Sequence, residues 1–334
     1  MNTTMWARAV NVIPRVTKDE WNALDVISRW LIATRSAVLV MTLNSAIIAG
    51  LLAARDGKLD LLLWLMVTVG LLFAHATNNL VNDLTDHWKG VDKDNYFRSQ
   101  YGPQPLEHGL MTRNQVLAYT AVTGLIALAA GGVILWQRGD AILWLLGAGA
   151  FFVLFYTWPL KYIGMGEVAV IIVWGPLMVG GGYYSITGEV SWPAVVASLP
   201  VALAATTVLF GKHIDKLDAD AAKGIRTMPV LLGEMDARVT TIVMLTLQYV
   251  LAVLLVMHGD FSWLLLAVFG ALPWYWRALR AFAHPRPTAP PAEYPPNVWP
   301  LWFAAFAFGH TRRFGALFLL GLAADVIARK LGLL

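Results

Sequence analysis

Runs of about 20 apolar residues recur along nearly the whole chain, and that is the length a helix needs to cross the hydrocarbon core of a bilayer. Lipid offers a backbone no hydrogen-bond partners, so spanning segments must close their own bonds. About nine stretches qualify by this criterion: 28–54, 59–85, 114–136, 140–158, 166–187, 192–213, 238–258, 262–281 and 313–331. The expected fold class is an all-α integral membrane protein, with about nine transmembrane helices in one bundle. Composition agrees. Charged residues make up 14% of the chain, against roughly 25% in a soluble domain. There is no Cys, which excludes disulfides, thiolate chemistry and Cys-based metal sites. The net charge of +4 needs no nucleic acid partner, because excess Lys and Arg in a membrane protein mark its cytoplasmic loops.

That rule sets an orientation. With the N-terminus in the cytoplasm, the inner pieces hold most of the basic residues, including Lys89, Lys93, Arg98, Lys161, Lys212 and Arg226. The outer loops, such as "RDGK" and "QRGD", are short. Residues 1–27 read as a polar cytoplasmic segment without the apolar core of a cleaved signal peptide. Residues 28–334 read as the transmembrane domain, with polar cytoplasmic loops at 86–113 and 212–237. The Pro-rich run "HPRPTAPPAEYPP" cannot be helical. With the short apolar piece 297–309, read as interfacial, it makes 283–312 a further cytoplasmic segment.

One apolar run ends in "NNLVNDLTDHWKGVD". Ionisable groups at membrane depth are expensive and mark function. Asn79, Asn82, Asp83 and Asp86 are spaced by threes and fours, which puts them on neighbouring strips of one helix face. Gly90 lets the chain turn, and Asp92 can reach back. A second acidic run, "GKHIDKLDADAAKGIRTMPVLLG", carries Asp215, Asp218 and Asp220. Carboxylate and amide oxygens suit Mg²⁺, which usually binds through one or two carboxylates plus a substrate's phosphates. Lys89, Arg98, Lys161, Lys212 and Arg226 lie among these acids and suit the outer oxygens of a diphosphate. Asp94, Glu234 and Asp236 read as solvated loop charges. His87 and His213 lie in or beside the two runs and read as boundary histidines or bases. Asp325, inside the last apolar run, has no evident role in the sequence.

The first run, "NDLTDHWKGVD", resembles the first Asp-rich motif of the UbiA superfamily of intramembrane prenyltransferases. Its N-x-x-x-D-x-x-x-G-x-D spacing is similar to that of the 1,4-dihydroxy-2-naphthoate prenyltransferase branch, which makes menaquinone. "YTWPLKYIGMGEVAVIIVWGPLMVGGGYYSITG" and "DAAKGIRTMPVLLG" resemble further segments of that branch, so the likeness runs over roughly residues 28 to 260. It implies nine helices around a central cavity, Mg²⁺, a polyprenyl diphosphate donor and an aromatic acceptor. Carried over, Asn82, Asp86 and Asp92 become ligands of metal and diphosphate, with Asp83 a further candidate. Asp220 matches the last acid of the second motif. Lys161 matches a basic residue, and Arg35 in "TRSAVL" resembles an Arg of the first helix. Arg98, Lys212 and Arg226 complete the expected diphosphate contacts, and Tyr156 is a candidate to face an allylic cation. The implied site faces the cytoplasm from a bacterial inner membrane.

Two departures stand out. The second motif normally places its acids four apart, but four before Asp220 stands Lys216, which leaves Asp215 or Asp218 to supply the other ligand. The Arg-Pro pair that often follows the first motif is Gln104-Pro105 here. The acceptor therefore stays open between the naphthoate and another phenol, a sugar phosphate or a glycerol phosphate, and a terpene cyclase is also compatible. A cation transporter is the alternative from another class, but transporters put ionisable residues near the midplane, and these acids cluster at one boundary. Oligomeric state is not legible.

Overall fold

The computed structural model describes residues 2–90, 102–295 and 298–334. Among them the regular structure is helical, apart from an isolated bridge between Ile163 and Arg226. Helices α1 (Thr3–Asn11), α2 (Lys18–Ala23) and α3 (Val26–Ala33) precede α4 (Ser36–Arg55) and α5 (Leu61–Trp88). Next come α6 (Arg113–Arg138), α7 (Ala141–Phe155), α8 (Gly166–Thr187) and α9 (Trp192–Asp215). The short α10 (Leu217–Ala222) and α11 (Met228–Leu232) lead to α12 (Glu234–Met257). A 3₁₀ stretch, Trp263–Ala271, continues into α13 (Leu272–Ala283), and α14 (Phe303–Lys330) comes last. Six of these, α4, α5, α6, α8, α9 and α12, are long and apolar enough to cross a membrane. The expected spans at 140–158, 262–281 and 313–331 correspond to α7, the 263–283 pair and α14.

The chain divides into two compact units, Met1–Leu43 with Met66–Pro159 and Asn44–Leu65 with Leu160–Leu334. In the first, residues 1–27 are not a loose polar tail. Ala9, Trp21 and Leu24 are buried in one cluster with Ile32, Leu80, Leu84, Leu110 and Met111, and each large side chain so buried contributes roughly 1.5–3 kcal/mol. Thr17 and Glu20 form a capping box that starts α2. Lys18 Nζ donates to the carbonyls of Gly109 and Leu110. Asp25 caps α3 and gathers α1 onto it, accepting from the backbone N–H and hydroxyl of Ser28, the backbone of Asn2 and the indole of Trp6. The Ser28 backbone bond foremost, with those from Asn2 and Trp6, holds the Asp25 carboxyl below the usual range. Its contribution is therefore present above the ordinary carboxylate pKa and is lost progressively as pH falls below it.

The expected continuous span 28–54 is broken. Arg35 has φ 54°, alone in that region among the described non-glycine residues, and it separates α3 from α4. Such a conformation costs on the order of 1–3 kcal/mol and persists only where surrounding structure holds it.

In the second unit, α8 widens into π-type turns over Val173–Gly180 around Pro176. A β-carbon on Gly175 would lie 3.0 Å from that of Ala202, so the glycines serve close packing of α8 on α9. Helix α14 begins at Phe303 rather than near 313, so the expected interfacial piece 297–309 gives most of its length to that helix and the 283–312 segment ends early. Two close approaches seat it. A β-carbon on Gly211 would come within 2.7 Å of the backbone of Phe303 and Ala304, and one on Gly321 within 2.6 Å of the Leu264 carbonyl. At its far end Asp325 accepts from the Ser262 backbone at 2.8 Å and from Arg329 at 3.0 Å. That accounts for a buried carboxylate the sequence left unexplained.

Candidate active site

Helix α5 runs three residues past the expected boundary, so Asp86 and His87 belong to its last turns and not to a loop. Its polar face is tied together from one end to the other. The break at Arg35 leaves the Thr34 carbonyl without a helical partner, and Asn79 Nδ2 donates to it at 2.8 Å. The Arg35 guanidinium donates to the Asn79 carbonyl at 3.3 Å, to Asn82 Oδ1 at 3.2 Å and to Asp83 Oδ1. Asn82 Nδ2 donates to Thr157 Oγ1 at 2.9 Å and to Asp86 Oδ2 at 3.3 Å. The chain of contacts thus runs from a strained backbone through an amide to the Asp86 carboxylate, which is 4% exposed.

Three of the expected site residues hold one another. Asp83 is the ion-pair partner of Arg35 through one carboxylate oxygen. Arg35, expected to bind diphosphate, braces Asp83 and Asn82. Asn82 turns its oxygen to Arg35 and its nitrogen to Asp86, so it orients the carboxylate as a donor. All three of these Arg35 bonds leave one guanidinium nitrogen, Nη2, and the shorter lysine side chain does not carry its ammonium as far. Arg35→Lys is expected to lower turnover by roughly tenfold or more, the scale of losing hydrogen bonds to charged groups. A kinetic assay together with thermal unfolding in detergent checks this.

Asp92 and Arg98 lie outside the described residues. Lys89 is over the Trp158 ring, 4.8 Å from its centroid. His87 is near the surface, 3.1 Å from Glu107, and His75 is buried against Thr42 at 2.7 Å. Tyr156 is half-buried at the end of α7. Gln104 is 3% exposed, and its Nε2 finds no acceptor among the described residues.

The second acidic run lies at the end of α9 and in α10. Asp215 is 3% exposed. It accepts from the backbone of Trp302 at 3.1 Å, Phe303 at 2.9 Å and Ala304 at 2.9 Å. It is the N-terminal cap of α14, where a carboxylate answers both the unpaired N–H groups and the positive end of the helix dipole. Asp215, one of the two acids expected to complete the second run, thus has both oxygens engaged in this cap. Asp218 is exposed. Asp220 is 2% exposed and takes Lys216 Nζ on Oδ1 at 2.8 Å, while its Oδ2 has no partner among the described residues. Gly224, at φ 68°, closes the turn that follows.

Lys161 is buried in a 3₁₀ turn, Leu160–Tyr162. Lys212 is half-buried and Arg226 exposed. The Ile163–Arg226 bridge joins the Lys161 segment to the second run. Glu167 makes the same connection through side-chain bonds, 2.5 Å from His213 Nδ1 and 3.2 Å from the Met228 backbone. Reading the sequence missed Glu167. A lone carboxylate inside the apolar stretch 166–187 was the available signal.

Among the described residues no three His, Asp or Glu side chains gather into a ready-made metal site. In the first unit Asp86 is a buried carboxylate of the kind that suits a hard cation carrying a phosphate ligand. In the second, Asp220 is a buried carboxylate with one oxygen unclaimed among the described residues.

Residues 43–303 match the UbiA prenyltransferase family. The 2-carboxy-1,4-naphthoquinone phytyltransferase of Synechocystis sp. is 28% identical over 263 residues, 75% of this chain and 81% of that one. The 1,4-dihydroxy-2-naphthoate octaprenyltransferase of Escherichia coli is 27% identical over 221 residues, 63% and 70% of the two chains. A UbiA homolog from Archaeoglobus fulgidus, solved bound to DMAPP and Mg²⁺, shares the fold with a TM-score of 0.56 at 17% identity, over 86% of this chain and 98% of that one. The chain therefore belongs to the UbiA prenyltransferase family and is a multi-pass integral membrane enzyme of that family.

Proposed function

We propose that this enzyme transfers a polyprenyl group from polyprenyl diphosphate to 1,4-dihydroxy-2-naphthoate, with Mg²⁺, at the cytoplasmic face of a bacterial inner membrane. The observation that carries the reading is the buried Asp86 carboxylate, held by Asn82 at the polar end of a helix whose first half is apolar. The similarity to two naphthoate-type prenyltransferases supports the acceptor.

The reaction breaks an allylic carbon–oxygen bond and releases diphosphate. When bound, Mg²⁺ neutralises charge on that leaving group. Asp86, Asp92 and Asp220 are the residues assigned to hold it, and Lys161, Lys212, Arg226 and Arg98 are assigned to the outer phosphate oxygens. Preset charge of this kind stabilises the negative charge that grows as the bond stretches. The allylic cation must be kept from water, which apolar walls accomplish, and the Tyr156 ring is assigned to face it. The electron-rich acceptor ring forms the new carbon–carbon bond, and its carboxylate leaves as carbon dioxide.

Gln104 favours a second reading. Its amide can donate to a neutral oxygen but cannot balance a carboxylate as a guanidinium does. An uncharged phenol acceptor would suit it better. Purified protein supplied with Mg²⁺, geranylgeranyl or longer diphosphates and a panel of acceptors decides between the two. The proposal expects a prenylated, decarboxylated naphthoquinol as the main product. Turnover confined to phenols lacking the carboxylate would discard the naphthoate assignment and keep prenyl transfer.

A further inference from the structure

The second acidic run contains three carboxylates, and one of them, Asp220, is buried with an oxygen that has no partner among the described residues. Asp215 is consumed by the start of α14. Asp218 is exposed on α10. Asp220 remains, and it shares its place with a cation: Lys216, one helical turn earlier, puts its ammonium 2.8 Å from Asp220 Oδ1. Both side chains are more than nine-tenths buried, at 9% and 3% exposure. Burying an ammonium is costly unless it is paired, so the geometry of this pair is held firmly. The backbone reinforces it, since Asp220 N–H donates to the Lys216 carbonyl at 2.9 Å. The other carboxylate oxygen, Oδ2, is buried with no hydrogen-bond partner among the described residues.

Charge then decides what this run can bind. Two acids four residues apart would present two negative charges and attract a divalent cation of their own. Lys216 with Asp220 presents none in total. A neutral pair with one unclaimed oxygen can lend that oxygen to one shared cation but does not hold a second of its own, and its fixed ammonium can meet a phosphate oxygen directly.

We propose that Lys216 is a diphosphate-binding residue that takes the place of a metal ion at the second run, so that this enzyme loads a single divalent cation with each diphosphate. The inference rests on the prenyl-transfer reading and deepens it. It assigns the neutralisation of the leaving group to one cation and one built-in ammonium.

The test is a Mn²⁺ titration followed by electron paramagnetic resonance, on full-length protein in detergent with inorganic diphosphate present. Calorimetry on the same samples gives the diphosphate affinity. Wild type is expected to take up one Mn²⁺ per chain, and Lys216→Asp, which restores an acid at that place, a second. Lys216→Ala is expected to bind diphosphate about tenfold more weakly, the scale of losing a charge-assisted hydrogen bond, with the Mn²⁺ count unchanged. Two Mn²⁺ in wild type would overturn the proposal without any variant having to fold. So would diphosphate affinity in Lys216→Ala equal to wild type. Asp86→Ala, run in parallel, keeps the two readings apart. If uptake depends on Asp86 but wild type holds two Mn²⁺, the Lys216 role alone is lost. If wild type takes up neither Mn²⁺ nor diphosphate, the prenyl-transfer reading falls and this inference falls with it.

Discussion

Asp86→Ala is expected to reduce turnover by at least roughly 10²–10³-fold, the scale seen when one preset electrostatic contact to a developing charge is removed. Thermal stability in detergent should change little by comparison. Asp86 receives a hydrogen bond from Asn82, which keeps Thr157 and Arg35 as partners when the carboxylate is gone. Asp86→Asn separates charge from shape. The amide fills the same space and can still meet Asn82, so a comparable loss in both variants assigns the effect to the negative charge. Full activity in Asp86→Asn would mean that the residue serves only to hold the helix end together.

Asp215→Ala is expected to act through stability. It strips the cap from α14 and leaves N–H groups of Trp302, Phe303 and Ala304 without their acceptor. Each buried donor left unpaired costs roughly 1–3 kcal/mol, and the lost dipole interaction adds up to about 2 kcal/mol. Together these predict a fall in melting temperature large enough to read directly. Asp215→Asn retains one acceptor oxygen and should fall between the two. In the folded fraction of Asp215→Asn, half-saturation by Mg²⁺ should match wild type. A raised Mg²⁺ requirement at unchanged melting temperature would return Asp215 to the ligand set. Gly211→Ala probes the same seat, because its new β-carbon would meet backbone, which cannot swing aside as a side chain does.

The helical class and the acidic end of α5 were legible because both are local patterns. Runs of about 20 apolar residues announce spans, and spacings of three and four announce a face. What stayed hidden depends on contacts far apart in sequence. Asp215 reads as one more acid in an acidic run, and its role emerges only from a helix that begins 88 residues later. That helix was itself misplaced, because Arg312 and Arg313 interrupt the apolar pattern near its middle. In the structure Arg313 lies 5.1 Å from the centroid of the Trp274 ring and Arg312 5.8 Å from that of Phe308, so both charges sit against aromatic faces within a continuous helix. The break at Arg35 carried no Gly or Pro to mark it. A left-handed arginine is tolerated here because Asn79 satisfies the carbonyl it frees and Asn82 and Asp83 hold its side chain.

The central claim is cation-dependent prenyl transfer carried by the α5 carboxylate. Its most direct test is one assay on purified protein with a polyprenyl diphosphate and 1,4-dihydroxy-2-naphthoate. Diphosphate release and prenylated product are measured together, with and without Mg²⁺, in wild type and Asp86→Ala. The account predicts that both products form in equal amounts, that EDTA abolishes them, and that Asp86→Ala reduces them by the same factor. Diphosphate release that ignores both Mg²⁺ and Asp86, or none under any condition, would contradict it.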